Sequence, residues 1–247
     1  MRKIAIALSK GGVGKTTTAV NLAAGLARAG RKVLLIDLDT QGQAGRALGV
    51  SEPTGLAAVI DGQLQPDQAI VEARDSLWLM PGGRELAGIK RTIARRDYGG
   101  ELTLAEALEP LDGSYDYAIL DTAPSWDVLN VNALFYADEV MAPVSLEVLS
   151  LQGLVEFQRS MEAIQQYKKA LHLSYVLPTF YDRRVKKSDE ILAQLQAYYG
   201  ESLCQPIRYN VKLSEAPGYG QTIWEHAPGS AGAKDYEALA RRILEDE

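Results

Sequence analysis

The stretch Ser9-Lys10-Gly11-Gly12-Val13-Gly14-Lys15-Thr16-Thr17 decides the fold. Ahead of it runs Ile4-Ala5-Ile6-Ala7-Leu8, apolar and of strand length. Behind it, residues 18–27 are rich in Ala and Leu, which favour helix. Strand, glycine turn, Gly-Lys-Thr and helix form the setting of a phosphate-binding loop. Its glycines let successive backbone N–H groups curl around an anion, and the helix N-terminus adds partial positive charge. In that setting Gly11, Gly12, Val13, Gly14 and Thr17 shape the cradle. Lys15 reaches the β- and γ-phosphates of a nucleotide, and the Thr16 hydroxyl is a ligand for Mg²⁺. A plain strand-to-helix turn would need neither this lysine nor the threonines. Ser9 stands five residues before Gly14, where the usual loop has glycine, and Lys10 adds a second lysine at the loop entrance.

Two further apolar runs end in acids. Lys32-Val33-Leu34-Leu35-Ile36-Asp37-Leu38-Asp39 reads as a buried parallel strand, with Asp37 and Asp39 on one face at its carboxyl end. Open α/β sheets bind ligands at that end. Near a triphosphate the pair could position water or hold the hydration shell of a metal. Tyr115-Asp116-Tyr117-Ala118-Ile119-Leu120-Asp121 repeats the pattern before Thr122-Ala123-Pro124, and a terminal aspartate is how phosphate-loop proteins approach Mg²⁺.

Elsewhere strand-like runs at residues 77–80, 140–144 and 173–178 alternate with helix-like segments at 102–109, 150–169 and 188–199. The alternation predicts an α/β fold, a doubly wound and mostly parallel sheet flanked by helices. Lys90, Arg91, Arg95 and Arg96 read as a solvated helix face. Residues 233–244 predict an amphipathic helix whose end, Glu245-Asp246-Glu247, is acidic, so it is expected to dock on the protein rather than on a membrane.

Composition narrows the function classes. A content of 47% hydrophobic and 23% charged residues fits an ordinary globular domain. No apolar run approaches the roughly 18 residues of a membrane span. Met1-Arg2-Lys3 leads straight into the first strand, so the expectation is one domain over residues 1–247 without a leader or an N-terminal DNA-reading extension. The single Cys204 cannot form an intrachain disulfide and supplies too few thiolates for an iron–sulfur site, which fits a cytoplasmic protein. The net charge of −6 opposes whole-surface attraction to DNA or anionic lipid. Against it, residues 181–187 pack Arg183, Arg184, Lys186 and Lys187 with one acid, Asp182. Two copies in a dimer would present a wide basic strip. Nothing there resembles a base-reading helix, so binding would go through phosphates and be indifferent to sequence.

With Lys10 to Thr17 and Asp37-Leu38-Asp39-Thr40-Gln41-Gly42 in view, the chain resembles the ParA/Soj family of partition ATPases, the deviant phosphate-loop group that includes MinD. Asp121-Thr122-Ala123-Pro124-Ser125 is similar to the family's second switch, and Asn210 to Pro217 to a segment typical of the Soj type. The resemblance implies an ATP hydrolase with Mg²⁺ as cofactor. Lys10 would cross a homodimer interface to the partner's ATP, Asp39 would polarise the attacking water, Asp37 would sit near the metal, and Asp121 would hold Mg²⁺ through water. Arg208 and Asn210 would lie on the adenine side. Arg183, Arg184 and Lys212 match the family's DNA-contact regions, to which charge density adds Lys186 and Lys187. The implied partners are nonspecific double-stranded DNA and a ParB-like activator, with the protein on the nucleoid. The alternatives are a positioning ATPase for a protein compartment and a MinD-like membrane regulator. Three residues depart from the family pattern: Thr40 and Arg208 where Pro is usual, and Tyr209 where Arg is common.

Overall fold

Strands buried on both faces need apolar residues at every position, and β1 (Arg2–Ile6), β2 (Val33–Asp37) and β5 (Tyr117–Asp121) meet that demand almost throughout. The computed structural model describes residues 1–51 and 55–247. Its seven-stranded sheet has the order β3-β4-β2-β5-β1-β6-β7, with β3 (Val71–Arg74), β4 (Leu77–Met80), β6 (Glu139–Ser145) and β7 (His172–Thr179) completing it. All neighbours pair in parallel except β3, which runs antiparallel to β4 at the edge. The doubly wound, mostly parallel sheet expected from the alternation is therefore present. The short β3 and helix α6 (Val128–Tyr136) are additions that sequence reading did not contain.

Period-two alternation divides the core into two layers. Ile4, Ile6, Leu35 and Ile119 point to one face, packed under α1 (Lys15–Arg28), α2 (Gln43–Ala47), the short α10 (Ile223–His226) and the terminal α11 (Ala231–Glu245). Ala5, Leu34, Ile36, Ala118 and Leu120 point to the other. There they meet α3 (Leu56–Ile60), α4 (Leu86–Ala94), α5 (Thr103–Leu108), α6, α7 (Val148–Gln165) and α8 (Lys186–Tyr199). A last short helix, α9 (Val211–Glu215), follows the loop that leaves α8.

Helix α11 buries Tyr236, Leu239, Ala240 and Ile243 against α1. Contact is close: a Cβ on Gly25 would lie 2.9 Å from that of Ala240. The Tyr236 phenol meets the Thr18 hydroxyl at 3.1 Å inside this interface. The amphipathic C-terminal helix is thus docked on the body, as its acidic end predicts. No helix among the described residues is long and apolar enough to cross a membrane.

Candidate nucleotide site

The carboxyl ends of β1, β2 and β5 lie side by side, because Ile6 and Asp37 are both register partners of Asp121. The loop after β1 therefore opens beside the two strand-terminal acids, at the carboxyl edge where open α/β sheets bind ligands. Gly12 and Gly14 take φ of +73° and +89°, a region that favours glycine, and α1 starts directly at Lys15. Thr179 at the end of β7 donates to the carbonyl of Val13 at 3.0 Å and ties the loop to a third strand end. Phe180, at φ +56°, follows it, and its ring would touch a Cβ placed on Gly14.

A cavity of about 650 Å³ rises above this loop. It is lined by Gly11, Gly12, Gly14, Lys15, Thr16 and Thr17 at its floor, by Asp39, Lys90, Thr122 and Ser125 on one wall, and by Phe180, Ile207, Arg208, Asn210 and Tyr236 on the other. The volume suits a nucleoside triphosphate. Lys15 is 7% exposed, and its ammonium donates to the Lys10 carbonyl at 2.7 Å. Burial lowers its pKa, while the charges of Asp121 and Asp39 oppose that shift.

The acids divide their work. Asp37 is fully buried and accepts backbone N–H bonds from Asp39 at 2.9 Å and Ala44 at 3.1 Å, one on each carboxylate oxygen. Its carboxylate shapes the loop that carries Asp39. Asp121 is equally buried, yet neither of its oxygens has a hydrogen-bond partner among the described residues. Burial and then the charge of Asp37 push its pKa up, against weaker help from Thr16 and Lys15. An orphaned carboxylate beside a hydroxyl at the mouth of a phosphate loop fits Mg²⁺ held by Thr16 and, through water, by Asp121.

On the other wall, Arg208 grips Asp235 of α11: Nε lies 3.0 Å and Nη2 2.6 Å from its carboxylate, and the Arg208 backbone N–H adds a bond of 2.9 Å. Its guanidinium is thus anchored to the terminal helix while it lines the cavity. The Asn210 side-chain oxygen caps α9 through the Lys212 N–H at 2.9 Å.

Sequence reasoning missed part of this site. Lys90 was expected on a solvated face, but it lines the cavity and donates to Asp127 at 2.6 Å. Asp127 in turn caps α6 and accepts from Ser125 at 2.7 Å. An aspartate just before an apolar helical run is a legible N-cap, and it was the available signal. Asp235 left no comparable mark.

The basic cluster is more paired than its sequence implies. Arg184 binds Asp182 at 2.7 Å, Lys187 binds Glu190 at 2.9 Å, and Lys212 binds Glu215 at 2.8 Å. Arg183 and Lys186 make no ion pair among the described residues. Tyr209 donates its N–H to the Tyr181 carbonyl at 2.9 Å, so the segment leading to Lys212 runs beside the start of the 181–187 cluster.

A phosphate loop with two strand-terminal aspartates, at the carboxyl edge of this sheet, defines a P-loop nucleotide hydrolase. The model of an AAA domain matches residues 1–173. The chain is 41% identical over 246 residues to the chromosome-partitioning ATPase Soj of Thermus thermophilus, covering 99% of this chain and 96% of that one. It is 36% identical to the chromosome partitioning protein ParA of Caulobacter vibrioides, over all of this chain and 95% of the relative. Among solved structures, a cobyrinic acid a,c-diamide synthase from Mycobacterium smegmatis with bound ADP and magnesium superposes with a TM-score of 0.85 at 34% identity, covering 99% of this chain and 94% of that one. The chain belongs to the ParA/Soj family of partition ATPases.

Proposed function

We propose that this partition ATPase closes two subunits face to face around two ATP molecules, binds double-stranded DNA without sequence preference in that form, and lets go when a ParB-like partner stimulates hydrolysis. The observation that carries the reading is the convergence of Lys15, Thr16 and Asp39 on one cavity, with the buried Asp121 carboxylate beside Thr16 and Lys15 and with Lys10 bound to the Lys15 ammonium through its carbonyl.

The roles follow from placement. Lys15 exchanges the Lys10 carbonyl for the β- and γ-phosphate oxygens, a stronger, charge-assisted partner. Thr16 and, through water, Asp121 would hold Mg²⁺, which when bound would supply positive charge to the phosphates. Asp39, fixed by the Asp37 carboxylate under its backbone N–H, orients the attacking water. Arg208 and Asn210 border the base. Lys10 reaches the partner's nucleotide, so the subunit interface forms only with ATP in place. Turnover by the chain alone is slow, because activators commonly complete such sites.

DNA binding rests on Arg183, Arg184, Lys186, Lys187 and Lys212, which lie on neighbouring segments. The apolar face of α11 is packed on α1, which favours a DNA surface over a MinD-like membrane anchor. The cargo is DNA by the family's chromosome-partitioning relatives. A protein compartment carried by the same engine is the other reading of the same cycle.

The test is a binding assay with ATP, Mg²⁺ and either duplex DNA or anionic liposomes. Retention on DNA only with ATP is expected. Retention on liposomes with no DNA binding would overturn the proposal.

A further inference from the structure

Lys10 is tied at both of its ends. Its carbonyl takes the Lys15 ammonium, and its own ammonium donates to Ser150 Oγ at 2.6 Å. Ser150 lies in the first turn of α7 and is fully buried, and its oxygen sits 2.6 Å from Ser145 Oγ at the end of β6. An ammonium has donors only, so Ser150 accepts from Lys10, and the Ser145–Ser150 hydroxyl bond stands with either oxygen as its donor. The Glu147 carboxylate stands 3.5 Å from the same ammonium but is 71% exposed, so solvent screens most of its pull. The hydroxyl pair is the stronger hold, since a charge-assisted bond to a buried oxygen keeps its strength.

We infer that Ser145 and Ser150 are positioning residues that hold Lys10 within its own subunit and set the threshold for pairing of two subunits on ATP. The inference rests on the proposed action of Lys10 across the interface. To reach a partner's phosphates, the ammonium must leave Ser150. The first tether links that release to nucleotide: phosphate draws Lys15 off the Lys10 carbonyl, which loosens the loop entrance whose side chain the serines hold. The two positions of Lys10 form a two-state element, biased by ATP toward the outward one. Serine hydroxyls suit such a latch. They bind an ammonium well enough to hold it without nucleotide, yet carry no charge to compete with triphosphate.

The experiment uses the full chain and two readouts. Without nucleotide, acetylation of Lys10 by an activated ester is followed by mass spectrometry, with the exposed Lys234 as internal control. With a non-hydrolysable ATP analogue and Mg²⁺, the dimer dissociation constant is measured by sedimentation. In Ser150→Ala, Lys10 should acetylate several-fold faster while Lys234 is unchanged, and the dimer should tighten by roughly tenfold, the size of one charged hydrogen bond. Ser145→Ala should shift both readouts the same way by less, which guards against a packing defect at one position. Adding Lys10→Ala to Ser150→Ala should erase the gain in dimerisation. Unchanged Lys10 reactivity overturns the latch, and so does faster reactivity with an unchanged or weaker dimer. A wild-type chain that stays monomeric with the analogue overturns the trans role of Lys10, and the latch's threshold with it. The acetylation readout still tells the two failures apart.

Discussion

Asp37 and Asp121 stand opposite one another across the β2–β5 ladder, both fully buried at the ends of their strands. Burial disfavours the charged form of both, and like charge adds to it, from Asp39 at Asp37 and from Asp37 at Asp121, so both carboxyls keep their protons to higher pH in the fold than in the unfolded chain. The folded state then binds more protons. Stability without nucleotide should fall as pH rises from the ordinary carboxylate range through these raised values. Asp121→Asn removes one charge of the pair. It should raise the melting temperature without nucleotide by a few degrees, at about 2–4 °C per kcal/mol, and flatten the pH dependence. The same variant should lose Mg²⁺-dependent hydrolysis. Calorimetric melts from pH 5 to 8 check this, and a destabilised variant would count against the repulsion.

Lys15→Ala should abolish detectable ATP binding, since the phosphates lose the buried Lys15 ammonium on the cavity floor. Titration calorimetry decides it. Retained affinity would remove the loop from the site.

Arg208 lines the cavity while Asp235 holds its guanidinium and its backbone N–H. Asp235→Asn should weaken ATP and ADP by the same factor, about three- to tenfold, since the base and ribose are common to both. A loss confined to ATP would mean that this pair acts at the phosphates instead.

The DNA surface should be uneven. Arg184, Lys187 and Lys212 share their charge with adjacent acids, whereas Arg183 and Lys186 do not among the described residues. Arg183→Ala should therefore weaken DNA binding more than Lys187→Ala, and Arg183→Glu with Arg184→Glu should abolish it while ATP-dependent pairing persists. Log affinity of the parent should fall with log salt at about −0.9 per phosphate contact. A flat response in an anisotropy titration would reduce the cluster to a solvated loop.

Much of this molecule is legible in one dimension because local signals carry it. The apolar runs ending at Asp37 and Asp121 place two acids at one sheet edge, and Gly12, Gly14 and Lys15 announce the loop between strand and helix. What stayed hidden depends on contacts between distant segments. Lys90 looked like one cation of four until α6 brought Asp127 against it, and Arg208 gained its anchor from a helix 27 residues away. The division of labour between Asp37 and Asp121 was equally invisible: identical strand ends differ only in whether backbone N–H groups reach them.

The central claim is that Lys10 serves the nucleotide of a second subunit. Sedimentation of wild type and Lys10→Ala with a non-hydrolysable ATP analogue and Mg²⁺, with binding of the analogue measured in parallel, tests it most directly. The account predicts a dimer for wild type, and a monomer for Lys10→Ala that still binds the analogue with nearly normal affinity. A Lys10→Ala chain that dimerises as well as wild type would contradict it.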